Sequence, residues 1–321
     1  MKNKIIIVSG DPNSINSEII FKSWNKLNSS LKKRIYIISN YNLLKKQQKK
    51  MKKKIKIIKV NNINEGVSSK YFKILNIDLK FSDPFNVKAK EASKFVISSL
   101  NTAHSLAQNK RVSGIINCAI NKTLLKKQKI GVTEYLASRS DIKKNSEVML
   151  IHSKDLSVSP LTTHIDINQV SKKINKRLII TKVKTLNNGF KKLFNRKPKI
   201  GVLGLNPHNA ELRKKSEEIK IIIPAINKLK NLGINVSGPL VSDTVFINNY
   251  KKFDVIIGMY HDQVLAPFKA LKKFEAINVT LGLRYLRVSP DHGIAAELIG
   301  KNKADPTSLL KCIEFMNINK K

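Results

Sequence analysis

The chain has 321 residues, enough for two ordinary domains that each bury a core, and its two cysteines, Cys118 and Cys312, stand in no CxxC pair. This usage indicates neither a disulfide framework nor a thiolate zinc site, and no run approaches the ~18 apolar residues of a membrane-spanning helix, so we expect a cytoplasmic protein without a membrane partner. The formal net charge of +39 would by itself favour binding to the phosphate backbone of nucleic acids. Only eight of the 61 basic residues are arginine, however, and aromatic residues make up 6%, which argues against a nucleic-acid-binding surface.

Short apolar runs bounded by turn residues predict buried strands, and longer segments with helical spacing lie between several of them. The predicted strands are 4–8, 35–39, 55–60, 113–117, 147–151, 199–205, 253–259 and 276–281. The predicted helices are 88–108, 178–194 and 211–232, and the lysine-rich segment Lys45–Lys56 is expected to be an exposed loop or helix face. This alternation favours an α/β fold with a largely parallel sheet. Polar residues around Asp141 and Lys143-Lys144-Asn145 suggest a domain boundary near residue 140.

The lysines are spread through the whole chain rather than gathered beside aromatic side chains. We interpret them as a compositional bias carried on solvated faces, so nucleic acid is not expected as a partner. A nucleic-acid-binding protein built on a degenerate enzyme fold is the alternative from another class. Attraction of small anions to a cleft fits the charge equally well.

Three histidines stand at expected strand ends or in turns beside other polar groups, and α/β sheets place their ligands at the carboxyl ends of strands. They lie in Thr162-Thr163-His164, Asn206-Pro207-His208 and Tyr260-His261-Asp262-Gln263. Three neutral imidazoles suit a Zn²⁺-like or Co²⁺-like ion that polarises a hydroxyl or carbonyl group. Hydrogen-bonded structural histidines are the other interpretation, and the spacing alone leaves both open.

Further polar groups follow these turns. Lys269, Asn278 and Arg287 would suit a phosphate or carboxylate, although in so basic a chain a solvated Lys269 is the default expectation. Ser289-Pro290-Asp291-His292-Gly293 leads into an apolar segment that we predict to be helical up to Gly300. Its turn either presents backbone amides to an anionic cofactor or is a simple capped turn. Gly201-Val202-Leu203-Gly204 lacks the third glycine of a dinucleotide fingerprint and is set aside.

Nine motifs share their order and spacing with one enzyme family. They are Gly10-Asp11-Pro12, Ala119-Ile120-Asn121-Lys122, Gly131-Val132-Thr133-Glu134-Tyr135-Leu136-Ala137, Leu161-Thr162-Thr163-His164-Ile165, Gly204-Leu205-Asn206-Pro207-His208, Gly238-Pro239-Leu240 with Asp243-Thr244, Met259-Tyr260-His261-Asp262-Gln263, Asn278-Val279-Thr280-Leu281-Gly282-Leu283 and Ser289-Pro290-Asp291-His292-Gly293. The chain thus resembles the 4-hydroxythreonine-4-phosphate dehydrogenase family of pyridoxal phosphate biosynthesis. The resemblance implies a two-domain fold like that of isocitrate and isopropylmalate dehydrogenases, with a largely parallel, mixed sheet and a cleft between the domains.

The resemblance also implies domains and site residues. Residues 1–140 and 289–321 would form a first domain that contributes to NAD binding, and 141–288 a second domain with metal and substrate residues and the dimer interface. The implied metal ligands for a divalent Zn, Mg or Co ion are His164, His208 and His261, with one ligand donated across the interface of a homodimer. The implied substrate contacts are Thr133, Lys269, Asn278 and Arg287, and the implied contacts with NAD or NADP are Asp291, His292 and Gly293.

The implied reaction is NAD-dependent oxidation and decarboxylation of 4-phosphohydroxy-L-threonine to 3-amino-2-oxopropyl phosphate. Lys269 counts among the catalytic residues, and Asp243 or Asp262 could serve as the general base, unless Asp262 orients a metal-bound histidine. Val132 stands where the family usually has a histidine, so a hydrogen bond to the substrate worth about 1.5–3 kcal/mol is expected to be missing. Another four-carbon hydroxy acid phosphate, such as threonate or erythronate 4-phosphate, is therefore the alternative substrate. The continuation Asn13–Glu18 and the segment Glu297–Gly300 also depart from the family pattern.

Overall fold

A computed structural model describes residues 4–128, 131–140, 142, 146–247, 249–273 and 275–319 of the chain. Asp141 and residues 143–145, around which a domain boundary is predicted, lie outside these residues. The described part contains twelve strands. They are β1 (Ile5–Val8), β2 (Ile35–Ser39), β3 (Ile57–Val60), β4 (Phe72–Asn76), β5 (Gly114–Asn117), β6 (Val148–His152), β7 (Ser157–Pro160), β8 (Ile200–Leu203), β9 (Val236–Leu240), β10 (Val255–Gly258), β11 (Ile277–Leu281) and β12 (Leu286–Pro290).

The same residues contain eleven α-helices. They are α1 (Asn16–Lys26), α2 (Ser29–Arg34), α3 (Tyr41–Lys50), α4 (Ala89–Gln108), α5 (Val132–Ser138), α6 (Ile167–Lys173), α7 (Lys176–Phe194), α8 (Ile223–Asn231), α9 (Ser242–Val245), α10 (His261–Lys272) and α11 (Thr307–Ile318). None of the described helices combines the length and the apolar character needed to cross a membrane.

The chain divides into two compact units. The first comprises Met1–Ser140 and Arg284–Lys321. Its strands run in the order β3-β4-β2-β1-β5-β12, and every neighbouring pair is parallel. The chain returns to this unit at Arg284, earlier than the residue 289 expected from the sequence, because β12 pairs with β5. Arg287 therefore belongs to the first unit.

The second unit comprises Asp141–Leu283. Its strands run in the order β11-β6-β7-β10-β8-β9. The pairs β11·β6 and β6·β7 are antiparallel, whereas β7·β10, β10·β8 and β8·β9 are parallel. The expected α/β fold with a largely parallel, mixed sheet is confirmed.

Each of the eight predicted strands contains a strand of the structure, but β4, β7, β9 and β12 were not predicted. These four carry polar or turn-forming residues inside the strand, so they show no continuous apolar run. In β4 the side chain of Lys73 is fully buried, and its Nζ donates to the carbonyls of Lys32 and Lys33 at the end of α2. Burial lowers the pKa of Lys73 to about 8.

The predicted helices 88–108 and 178–194 are confirmed as α4 and α7. The predicted helix 211–232 is wrong at its start, because Glu211 and Leu212 belong to a left-handed turn and 213–216 are not helical; a π-helical turn over Glu218–Ile222 then leads into α8. Lys45–Lys50 lie on α3, which buries Leu43, Leu44 and Gln47 and leaves its lysines on the outside. The helical segment expected before Gly300 is also wrong, because only a three-residue 3₁₀ turn, Ala296–Leu298, forms there.

Candidate active site

Four neighbouring parallel strands of the second unit end at one edge of its sheet. They are β7, β10, β8 and β9 in that order. The segments that follow their carboxyl ends carry His164, His261, His208 and Asp243, respectively. Open α/β sheets bind ligands at this edge, because the strand ends and the loops after them meet there.

His164 and His261 are brought together by neighbouring turns. After β7, the backbone N–H of Leu161 donates to the carbonyl of Gly258, and Thr162 Oγ1 donates to that of Met259 at 2.7 Å. These bonds tie the turn before His164 to the turn before His261. The two imidazole ring centroids lie 6.0 Å apart.

The orientation of His261 is set by its neighbour. His261 Nδ1 lies 2.6 Å from Asp262 Oδ1. Because a carboxylate oxygen only accepts, Nδ1 is the donor in this hydrogen bond, and Nε2 is the ring nitrogen left to bind another group. A carboxylate in this position is the usual partner of a metal-binding histidine.

His208 pairs with Asp243 rather than with the other two histidines. Its Nε2 lies 3.6 Å from Asp243 Oδ2, and both side chains are largely exposed. Among the described residues, no group of three His, Cys, Asp or Glu side chains is close enough to hold a metal ion. One chain therefore presents two pairs at the edge of the sheet without assembling the three histidines into one cluster.

The backbone that carries His208 is left-handed. His208, Asn209, Ala210, Glu211 and Leu212 all have φ between 44° and 56°. Each non-glycine residue in this region costs about 1–2 kcal/mol, so such a turn persists only where surrounding contacts impose it. Conformations of this kind concentrate at functional sites.

The contacts that hold this turn come from Glu218 and Gln263. The fully buried Glu218 accepts from the backbone N–H groups of Leu205 and Asn206 at 2.8 and 2.9 Å through Oε1, and from Asn206 Nδ2 at 3.0 Å through Oε2. Burial raises the pKa of this carboxyl, but the bonds from Asn206 and Leu205 outweigh it and leave the pKa below its usual range. Gln263 Nε2 donates to the carbonyl of Gly204 at 2.7 Å, while its Oε1 accepts from the N–H of Met259. Gln263 thus links the turns before His208 and His261.

Lys269 and Asn278 complete the predicted residues of the second unit. Lys269 is exposed on α10, two turns after His261. Asn278 lies in β11, and its Oδ1 is buried without a hydrogen-bond partner among the described residues. An unpaired buried acceptor is costly, so this position suits a polar ligand.

In the first unit, Arg287 and Thr133 are in direct contact. Arg287 is 3% exposed, and it donates from Nε to Asn117 Oδ1 at 2.5 Å and from Nη1 to Thr133 Oγ1 at 3.1 Å. Burial lowers the pKa of Arg287 to about 10, while Tyr285 and Glu134 act against it, so the guanidinium stays charged at neutral pH. Val132 and Thr133 are the first residues of α5 and are half-buried.

Asp291, His292 and Gly293 lie in the loop after β12. The N–H of Asp291 donates to Ser308 Oγ at 2.9 Å, and His292 Nδ1 lies 2.8 Å from the carbonyl oxygen of Gly293. Gly293 itself is exposed. This loop contains little regular secondary structure. Its backbone groups therefore do not belong to a helix, in contrast to the helical segment predicted from the sequence.

Two residues that support this arrangement, Asn117 and Glu218, were not singled out from the sequence. A polar residue that closes an apolar strand, as Asn117 closes β5, was a usable signal. The acidic pair Glu217-Glu218 before the apolar run from Ile219 was another, because carboxylates are favoured at a helix start. It was hidden inside the predicted helix 211–232.

The model of one protein family, pyridoxal phosphate biosynthetic protein PdxA, matches residues 30–316. The chain belongs to this family. The 4-hydroxythreonine-4-phosphate dehydrogenase of Sulfurihydrogenibium sp. is a similar PdxA relative, 39% identical over 319 residues that cover 97% of each chain. That of Aquifex aeolicus is 37% identical over 321 residues, covering 98% of each.

Solved structures agree with this membership in PdxA. The crystal structure of 4-hydroxythreonine-4-phosphate dehydrogenase from Klebsiella pneumoniae superposes with a TM-score of 0.85 at 27% identity, over the full length of both chains. A terephthalate 1,2-cis-dihydrodiol dehydrogenase from Burkholderia xenovorans gives 0.66 at 21% identity, covering 99% of this chain and 98% of the other, which shows a shared fold.

Proposed function

We propose that this chain is an NAD-dependent 4-hydroxythreonine-4-phosphate dehydrogenase, which converts 4-phosphohydroxy-L-threonine to 3-amino-2-oxopropyl phosphate and CO₂. Membership of the PdxA family supports the activity. The main structural support for the site is the edge of the sheet where four parallel strands end, because the segments after them contain three histidines and Asp243. These residues supply the donors that such a reaction needs.

Three imidazoles are ligands that suit a divalent cation, although among the described residues of one chain they do not form a single cluster. His164, His208 and His261 would hold it, and the hydrogen bond from His261 Nδ1 to Asp262 leaves Nε2 available as a donor. Nitrogen donors favour Zn²⁺ or Co²⁺ over Mg²⁺, which prefers oxygen ligands. A bound cation would supply Lewis-acid polarisation of the substrate oxygen, and NAD would supply the acceptor for the hydride of the hydroxyl-bearing carbon.

The side chains of this protein have distinct roles in the proposal. Asp262 orients His261, so Asp243, 3.6 Å from His208 Nε2, is the better candidate to take the hydroxyl proton. Lys269 and Asn278 bind the phosphate and other polar groups of the substrate, together with Arg287 and Thr133. The loop with Asp291, His292 and Gly293 approaches NAD; NADP is the alternative cofactor.

A homodimer with the active site at its interface is part of the proposal. Large apolar side chains lie exposed within four residues of His164, His208 and Asp243 in the chain. They are Ile165 and Ile167 at 40% and 68% exposure, Leu212 at 53% and Ile247 at 67%. Because exposed apolar groups cluster at interfaces, a second copy would cover them and could supply the missing ligand.

Oligomeric state tests this part directly. We expect light scattering to give a dimer for the wild type and a monomer for Ile167→Asp. Ile318→Asp is the matched control, because Ile318 is 80% exposed at the end of α11. A monomeric wild type would overturn the dimer proposal.

The activity is tested by NADH formation from 4-phosphohydroxy-L-threonine before and after chelation. We expect chelation and His208→Ala each to abolish turnover, and added Zn²⁺ or Co²⁺ to restore it in the chelated wild type only. Lys214→Gln, an exposed change in the same loop, should leave the rate unchanged. Turnover that resists chelation would refute the metal, and absence of NADH formation with the metal-loaded protein would refute the substrate.

A related substrate is favoured by one residue. Val132 offers no hydrogen bond where the family resemblance implies a histidine. Rates on threonate and erythronate 4-phosphate, measured under the same conditions as the rate on 4-phosphohydroxy-L-threonine, distinguish the leading substrate from the alternative ones. Faster turnover of either than of the aminated substrate would replace the leading proposal.

A further inference from the structure

His104 joins two segments of the first unit that are far apart in the chain. It lies on α4 and is 9% exposed. Its Nε2 lies 3.1 Å from the carbonyl oxygen of Arg139, and its Nδ1 lies 2.8 Å from the hydroxyl of Tyr285. The Tyr285 ring packs edge-on against the imidazole, with centroids 5.6 Å apart.

The partners fix the directions of these two hydrogen bonds. A carbonyl oxygen only accepts, so Nε2 of His104 donates to Arg139 and Nδ1 must accept from the Tyr285 hydroxyl. Burial lowers the pKa of His104 and raises that of Tyr285, which keeps the imidazole neutral and the phenol protonated. Both groups are thus held in the states that the chain of hydrogen bonds requires.

The two ends of this chain reach the residues proposed to bind substrate. Arg139 is the C-cap of α5, the helix whose first turn carries Thr133. Tyr285 immediately precedes β12, which carries Arg287, and the two side chains interact electrostatically. Arg287 donates to Thr133 at the start of α5, and His104 connects the end of α5 to Tyr285. Both ends of the helix are therefore linked to β12 or to the residue just before it.

We propose that His104 is a positioning residue, which with Tyr285 fixes α5 against β12 so that Thr133 and Arg287 meet the substrate in one geometry. This rests on the proposed function, because the substrate role of Thr133 and Arg287 comes from there. His104 touches neither substrate nor cofactor in this role. Its effect on the reaction therefore passes through substrate binding.

The test compares steady-state kinetics of Tyr285→Phe, His104→Phe and the double variant on the metal-loaded enzyme. Tyr285→Phe removes only the hydroxyl, so it serves even if His104→Phe does not fold. We expect each single variant to raise KM for 4-phosphohydroxy-L-threonine about five- to tenfold, with kcat within about twofold of the wild type. The double variant should be no worse than the singles, because both residues belong to one chain of hydrogen bonds.

Tyr135→Phe is the matched control. Tyr135 OH donates to Asn101 Oδ1 at 2.7 Å, so this variant also loses a hydrogen bond between α5 and α4, but one that does not lead to β12. Its KM should stay within about twofold of the wild type. If Tyr285→Phe leaves KM unchanged, or changes it no more than Tyr135→Phe does, the proposal is overturned. An inactive wild type would instead refute the proposed function.

Discussion

Replacement of Glu218 by glutamine tests how the turn that carries His208 is held. The carboxylate is fully buried and accepts three N–H groups, two from the backbone and one from the Asn206 side chain. Glutamine has the same shape, but its amide nitrogen would face the Asn206 amide, donor against donor. One bond to a charged group is lost, at about 1.5–3 kcal/mol, and the other two lose their charge assistance.

We therefore expect Glu218→Gln to lower the free energy of unfolding by about 2–4 kcal/mol in urea titrations at neutral pH. Because Asn206 lies two residues before His208, affinity for Zn²⁺ or Co²⁺ should also fall by about 10- to 100-fold in a calorimetric titration. The pH dependence has a defined sign. The folded pKa of Glu218 is depressed, so its contribution is complete above the pKa of the unfolded carboxyl and is lost as the pH falls through the folded pKa.

Glu217→Gln is the control for this experiment. Glu217 is half-buried and accepts from Asn206 Nδ2 at 2.9 Å, without a bond from a backbone N–H among the described residues. We expect it to cost less than about 1 kcal/mol. If Glu218→Gln is no more destabilising than Glu217→Gln and binds metal as the wild type does, the turn is not held in this way.

Three further predictions concern the scaffold around the site. Burial lowers the pKa of His152 from 6.5 to about 4, so the unfolded chain binds a proton at this residue before the folded protein does. As the pH falls from 6.5 to 4, the free energy of unfolding of the wild type should therefore decrease by up to about 3 kcal/mol. His152→Gln should show a smaller decrease in urea titrations over the same pH range. Gly10→Ala should cost about 3 kcal/mol or more in thermal unfolding, because φ is +74° and the new Cβ would lie 2.5 Å from the carbonyl oxygen of Ala119. Arg287→Lys cannot keep the bonds to both Asn117 and Thr133, so we expect about 2 kcal/mol of destabilisation and a raised KM for the substrate.

Each of these has a contrary outcome. Equal loss of stability in the wild type and His152→Gln would mean that another group titrates. A Gly10→Ala variant as stable as the wild type would mean that the turn relaxes away from Ala119. An Arg287→Lys variant with wild-type stability and KM would mean that the guanidinium group is not needed to connect β12 with β5 and α5.

The sequence predicted the fold class and eight of the twelve described strands, because an apolar strand between turn residues leaves a local pattern. It missed β4, β7, β9 and β12, which contain lysine, asparagine, serine, glycine, proline or arginine. Three of these strands matter for the site, since β7 precedes His164, β9 precedes Asp243 and β12 carries Arg287. Their polar residues are tolerated because neighbouring strands take up the backbone hydrogen bonds, which no local pattern records.

Motif order in the sequence was sufficient to indicate the family, and the turns after apolar runs pointed to His208 and His261, whereas His164 follows β7, which was not predicted. The strand order β7-β10-β8-β9, the partnership of His208 with Asp243 and the burial of Glu218 came only from the tertiary structure. Turn positions and apolar runs follow from the chemistry of a few consecutive residues. Which strand ends become neighbours depends instead on pairing between segments that are far apart in the chain, such as Ser157 of β7 with Val255 of β10. Burial likewise makes a polar side chain such as Arg287 depend on partners in two other segments, Asn117 of β5 and Thr133 of α5.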